Sequence, residues 1–464
     1  MRIRERFFGD KRFYYRVISI AVPIILQNGI TNFVSLLDNI MVGSLGTEQM
    51  SGVSIVNQFI FIFNLLIYGA ISGAGIFCVQ YHGTRDQNGI SHTFRFKLYL
   101  NVLLTVLSIG AFALFGDYLI STFLSESSTS GDIALTFSEG QAYLRIMLIG
   151  LIPYSVSQVY ASSLRETEHT VVPMVASVVA VTTNFVLNYI LIFGKLGLDP
   201  MGVEGAAIAT VASRFTELLI LVVWSHRNTD KCLYFKGVFK SFSIPTGLVK
   251  RMLLKTLPLM ANEFFWSISM TLRNQCYSTR GIDVVAAQNI CSTIFNVFSV
   301  VYMSFGTVIS IMVGSLLGQG RFKEAKDTNR KVLVCSVFCG ITLGVLLTVS
   351  SGIFPELYNT DDNVKSLAAY MMIISGVYMP FYAFNNSSYF TIRSGGSVGI
   401  TFIMDSGFMC LFMLPVSFIV SRFTSVDIYA LFVICQGAEA LKATISFFML
   451  KKSSWTKRLV GEKN

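Results

Sequence analysis

Charge is scarce in this sequence. Of its 464 residues 13% are charged and 53% hydrophobic, and the mean hydropathy is +0.61. That excludes an ordinary soluble domain of this length and fits an integral membrane protein. Histidine is rarer still. The four, His82, His92, His169 and His226, are read at loops or helix ends, too dispersed for a metal cluster or a catalytic base with its partner. The chain has no GxxxxGK[ST] stretch, so it is not expected to hydrolyse ATP itself. Its eight cysteines include no CxxC pair. Cys335 and Cys339 share a helix face with no His or acid at ligand spacing, which makes packing their expected role. The N-terminal "MRIRERFFGDKRFYYR" lacks a short apolar core and small-residue cleavage site, so the first helix is expected to serve as the insertion signal. Nothing here points to an enzyme.

Long apolar runs fill the rest. A helix needs about 20 mostly apolar residues to cross a bilayer. Twelve runs meet that length, near 14–42, 49–81, 95–116, 140–164, 169–194, 202–225, 252–279, 285–317, 331–354, 366–392, 398–421 and 427–450. They do not alternate as barrel strands do, so the expected fold class is an all-α integral membrane protein of twelve transmembrane helices. The net charge of +10 does not read as nucleic-acid binding, because of where the charge sits. Most Lys and Arg fall on the termini and even-numbered loops, with Arg85, Arg95, Lys97 and Arg165 assigned to those loops. Only Lys195, Arg280, Lys365 and Arg422 fall on the odd-numbered ones. That bias places both termini in the cytoplasm of a multi-pass cell-membrane protein. The acidic stretch 117–139 reads as an external loop.

The chain reads as two halves. Residues 1–225 form an N-terminal six-helix bundle. An amphipathic basic linker, 226–250, follows and is expected to lie on the inner membrane face. Residues 251–464 form the C-terminal bundle with a basic tail. Pro23 and Pro258, Leu37 and Leu272, Asn39 and Asn274, Gly46 and Gly281, and Gly83 and Gly318 are each 235 positions apart. Later "YLRIMLIGLIPYSVSQVYASSLR" parallels "YMMIISGVYMPFYAFNNSSYFTIR". With an even number of spans each, the halves are expected to be related by a pseudo-two-fold axis along the membrane normal. Several stretches, taken in order, resemble the bacterial type of multidrug and toxic compound extrusion (MATE) transporter. They are "PIILQNGITNFVSLLDNIMVGSLG", "NFVLNYILIFG" with "GVEGAAIAT", "LPLMANEFFWSISM", "GQGRFKEA" and the closing "KKSSWTKRL". The resemblance runs over about residues 13 to 460. It implies a six-plus-six helix fold with a central cleft. It also implies an exporter of apolar or cationic small molecules by alternating access, driven by inward Na⁺ or H⁺ and needing no cofactor. A monomer embedded in lipid, without a nucleic-acid partner, is expected. A lipid-linked precursor flippase of the same superfamily is the alternative.

Polar residues inside spans mark candidate sites, since each charge in the bilayer core costs at least about 2.5–3.5 kcal/mol. Asp38 lies 22 residues past Arg16, roughly 33 Å along a helix, in the outer half of the first span. Asn184 and Asn188 are four apart in the fifth span and share a face. Thr210 enters the sixth span at overlapping depth. One carboxylate with amide and hydroxyl oxygens suits a single Na⁺, or a proton on the acid itself. The resemblance assigns Asp38, Asn184, Asn188 and Thr210 to the coupling-ion site. Many relatives carry Asp at the position of Asn188, so this chain has one acid fewer. At the duplicated positions stand Arg273, Phe412 and Val416, which cannot build the same cation site. Arg273 is read as binding an anionic group, pairing with an acid or snorkelling to the outer interface. Glu263 and Asp405, at similar depth in the second half, are candidates for sharing a proton or binding substrate. Arg214 with Glu217, and Glu439 with Lys442, read as intrahelical pairs, and Arg145 as an interface anchor. Gly69, Gly73 and Gly75 read as sites of close helix packing.

Overall fold

A computed structural model describes residues 7–126, 132–358, 360–452 and 454–461. Arg2, Arg4, Arg6 and Lys463, counted above among the basic termini, lie outside the described residues. Among the described residues the continuous apolar runs lie in twelve long helices. They are α1 (Lys11–Gly43), α2 (Thr47–Thr84), α3 (Gln87–Glu126), α4 (Ile133–Glu166), α5 (Val171–Phe193), α6 (Gly202–Arg227), α7 (Thr246–Ser278), α8 (Ile282–Gly318), α9 (Phe322–Ser350), α10 (Asp362–Ser394), α11 (Val398–Phe423) and α12 (Ile428–Lys451). Eleven are apolar enough over 18 residues to cross a membrane, and α7 is the twelfth long helix. Asp10, Asp86, Asp132 and Asp427 start α1, α3, α4 and α12 by accepting hydrogen bonds from first-turn amides. Gly194, in the left-handed region at φ 63°, ends α5. Pro23, Pro153, Pro258 and Pro380 lie inside α1, α4, α7 and α10.

The chain packs as two units. One comprises residues 26–78 and 86–256; the other comprises 1–25, 79–85 and 257–464. These boundaries differ from the expected 225/251 division. The first turns of α1 belong with the C-terminal helices: Val17, Ile20, Ala21 and Ile24 are buried in a core with Val308, Met312, Leu317 and Val332. The paired glycines explain how residues 79–85 join that unit. A Cβ on Gly83 would strike the Ser315 carbonyl, and one on Gly318 the Gln80 carbonyl, so α2 and α8 meet backbone to backbone. In the other unit a Cβ on Gly73 would strike Thr256, and one on Gly75 the Glu166 carboxylate. Large apolar side chains on α3, among them Val106, Leu107, Leu114 and Phe115, stay exposed, as a lipid-facing helix requires.

Three boundary expectations are corrected. Arg95 and Lys97 are not loop residues, because α3 begins at Gln87 and extends well beyond the span. Both are buried. Lys97 Nζ pairs with Glu166 Oε2 at 2.5 Å, with its side chain fully shielded. Arg95 Nε donates to the Val238 carbonyl at 2.7 Å. The linker packs one side on the helices: Tyr234, Phe235 and Val238 are buried, and Phe235 stacks on Tyr160 at 5.4 Å. Its exposed side carries Leu233, Lys236, Phe239, Lys240 and Phe242. The stretch 117–139 is mostly helix, shared between α3 and α4, with 127–131 outside the described residues.

α11 is irregular in a way that matters for the site. It passes through π-helical turns at Ile403–Gly407 and Met409–Met413 before resuming as Leu414–Phe423. Pro415 has no N–H to offer the carbonyl four residues back, so the ladder loosens there. Asn262 of α7 fills the first wide turn: its Oδ1 accepts from Ser406 N at 3.3 Å and Ser406 Oγ at 2.8 Å.

Candidate ion and substrate sites

The structure brings Asp38, Asn184, Asn188 and Thr210 together. The asparagines lie one turn apart on the buried face of α5, 5% and 1% exposed, and α1 and α6 bring the other two side chains to them. Asn188 Nδ2 donates to Asp38 Oδ1 at 2.6 Å. With its nitrogen towards the carboxylate, the Asn184 amide lies 2.9 Å from both Asp38 oxygens. The other end of that amide is 3.3 Å from Thr210 Oγ1. Asn188 Oδ1 is buried with no hydrogen-bond partner. A buried oxygen without a donor is costly. Tyr143, which sequence reasoning missed, is within hydrogen-bond reach of Thr210 and Asn57 and lies in the field of Asp38.

Two turns before Asn184 on the same α5 face lies Ser177. Its hydroxyl donates to Glu217 Oε1 at 2.6 Å and accepts from Gln27 Nε2 at 2.8 Å. Gln27 Oε1 in turn accepts from Arg165 at 3.4 Å. Glu217 thus serves this chain of bonds. Arg214 instead donates to the Gly150 carbonyl at 3.1 Å and lies over the Tyr154 ring. The expected intrahelical role of this pair is corrected: i,i+3 spacing permits contact, but partners on α4 and α5 are better placed.

In the C-terminal unit the expected Glu439–Lys442 pair is likewise replaced. Lys442 Nζ bonds Asp405 Oδ1 at 2.7 Å, and Glu439 accepts from Asn385 Nδ2 at 2.9 Å. Asp405 also accepts from Asn262 Nδ2 at 3.0 Å, so its charge is already compensated. Glu263 has Arg393 and Asp405 as charged neighbours, with Asn262 and Tyr389 close by. Among the described residues Arg273 meets no acid at ion-pair distance. Its Nη2 and Nη1 approach Met270 Sδ at 3.1 Å and Met413 Sδ at 3.8 Å, and its Nε is buried without a partner. The expected counterparts Phe412 and Val416 do not face inward. Along and after the π turns Met409, Met413 and Ser417 are the buried positions, and Phe412 is 41% exposed.

The MatE family model matches residues 23–190 and 258–419, one match in each half. The chain is 23% identical over 458 residues to the probable multidrug resistance protein NorM of Thermotoga maritima, covering 96% of this chain and 93% of that one. Its fold matches that of a MATE protein solved in complex with MaL6, with TM-score 0.84, 18% identity and coverage of 98% and 99%. It matches equally, with the same TM-score, identity and coverage, a multidrug resistance MATE family transporter of the MOP superfamily in an outward-facing conformation.

Proposed function

From the premise that the chain belongs to the MatE family of multidrug and toxic compound extrusion transporters, we propose that it is a multidrug exporter driven by inward movement of Na⁺ or H⁺ bound at Asp38. Export fits the name carried by its Thermotoga maritima relative, a multidrug resistance protein. The observation that carries the coupling assignment is the orphaned Asn188 Oδ1 beside a carboxylate that already collects two amides. With Asp38 ionised and no cation present, the asparagines turn their nitrogens towards it. A bound Na⁺, or a proton on Asp38, reverses the demand, because the site then calls for oxygen acceptors. Rotation of the amides brings Asn188 Oδ1 and Asn184 Oδ1 to Asp38. The charge on α1 is thereby read by α5, which carries the Ser177–Glu217 contact on the same face. In this reading one helix position reports the ion, and alternating access follows from moving α5 against α1. The protein sits in the cytoplasmic membrane with both termini inside.

Substrate-dependent counterflow in proteoliposomes, run separately with Na⁺ and H⁺ gradients, tests this. Efflux of a cationic dye driven by one gradient is the expected result. Equal efflux with and without either gradient would sink the coupling.

A further inference from the structure

The geometry points to an anion-binding site at Arg273: we propose that the C-terminal unit takes amphiphilic organic anions, a carboxylate on a flat apolar body, at this guanidinium. The proposal rests on the exporter reading and names a substrate class for it.

Trp266, Met270, Arg273 and Tyr277 follow one another at spacings of four, three and four, so α7 presents them as one stripe. Met270 and Trp266 pack with Met409, Met413, Phe408 and Ala438 of α11 and α12. Into this apolar setting the stripe places a group that cannot shed its charge. Among the described residues no carboxylate stands within ion-pair distance of Arg273; its Nη atoms approach two thioether sulfurs, which are weak acceptors. The Nε–H is buried and bonded to nothing. The nearest acid in its field, Glu439, is committed to Asn385. Tyr382 donates to Gln436, which leaves its oxygen towards the guanidinium, but a phenol does not neutralise a cation.

A guanidinium without a carboxylate partner is costly to bury, and the fold offers this one only phenol oxygens, two thioethers and the field of the already committed Glu439. A carboxylate meets that cost, because its two oxygens match the guanidinium fork. The side chain keeps partial exposure, so a ligand can reach it. Trp266, Phe408 and the methionines supply apolar contact for the rest of the molecule, which favours an organic anion over chloride or phosphate.

The test is equilibrium binding to the purified full-length chain in uncharged detergent. The probes are 9-anthracenecarboxylate and its methyl ester, read by calorimetry and tryptophan quenching. The carboxylate is expected to bind the parent at least about tenfold more tightly than the ester. In Arg273→Gln the two should bind alike, and Arg273→Lys should keep part of the preference. Melting temperature and gel filtration report folding. If Arg273→Gln does not fold, Arg273→Lys must still weaken the carboxylate more than the ester. No preference in the parent, or an undiminished preference in Arg273→Gln, overturns the site. Displacement by phosphatidylglycerol but not by soluble aromatic carboxylates overturns it too, in favour of a lipid site. No gradient enters this measurement, so it fails independently of the efflux assay on which the exporter reading depends.

Discussion

Two buried charges illustrate opposite uses of the same cost. Lys97 is fully shielded and paired with Glu166, with Ser162 and Ser163 hydroxyls within 3.4 Å. This pair is structural, and removing one partner leaves the other buried and uncompensated. Glu166→Gln should destabilise by about 3–5 kcal/mol, and the double change to apolar residues of similar size should recover most of it. Thermal melting in detergent checks both arms; a single mutant as stable as the parent would contradict the pairing. Asp38 is different, because its partners are neutral amides and a hydroxyl. Asp38→Asn keeps the shape and most of the hydrogen bonds, so the fold should survive with an unchanged melting temperature. It removes the charge that holds the ion, so gradient-driven efflux should fall to the rate of empty vesicles. Efflux at the parental rate would move coupling elsewhere, with Glu263 next to be tested. The Asp38 cluster was legible because two asparagines four apart on an apolar span have few structural reasons to be there. The Lys97 pair was not, because a helix that runs on past the bilayer cannot be told from a loop by hydropathy.

At the level of elements, α11 shows where periodicity fails. The duplication aligns Phe412 and Val416 with the two asparagines, yet Met413 and Ser417 are the buried positions, 1% and 0% exposed. Pro415 was visible in the sequence, but a proline does not say whether a helix will kink or slip. Asn262 decides it, by bonding Ser406 N and Oγ inside the wide turn and Asp405 beside it. Asn262→Ala should leave the Ser406 N–H without its acceptor, at about 1–3 kcal/mol where it stays dry, while Ser406 Oγ keeps the backbone carbonyl of residue 262 and Asp405 keeps Lys442. Amide exchange across 403–413 should accelerate, while the Asp427-capped start of α12 should not change. Equal exchange in parent and variant would mean that the wide turns stand without Asn262. The same stretch of α11 places Met413 Sδ 3.8 Å from Arg273.

For the whole molecule, the proposed orientation rests on the basic bias, which favours one side of the membrane. Part of the bias dissolves on inspection. Arg95 and Lys97 are buried and structural, so they do not report on topology. What remains is the exposed face of the linker, with Lys236 and Lys240, and the start of α9, with Arg321 and Lys323. Against these stand Leu196, 85% exposed after α5, and Asp361 at the start of α10. Phe235 is a poor reporter because burial alone would protect it. In a background free of the eight native cysteines, single cysteines at Leu196 and Asp361 should react with an impermeant maleimide in intact cells. Cysteines at Lys236 and Lys323 should react only after the membrane is opened. These four positions are exposed in the fold, so protection can come only from the bilayer. The reverse pattern would turn the molecule over, put Asp38 in the inner half of the membrane, and require an outward ion gradient to drive export.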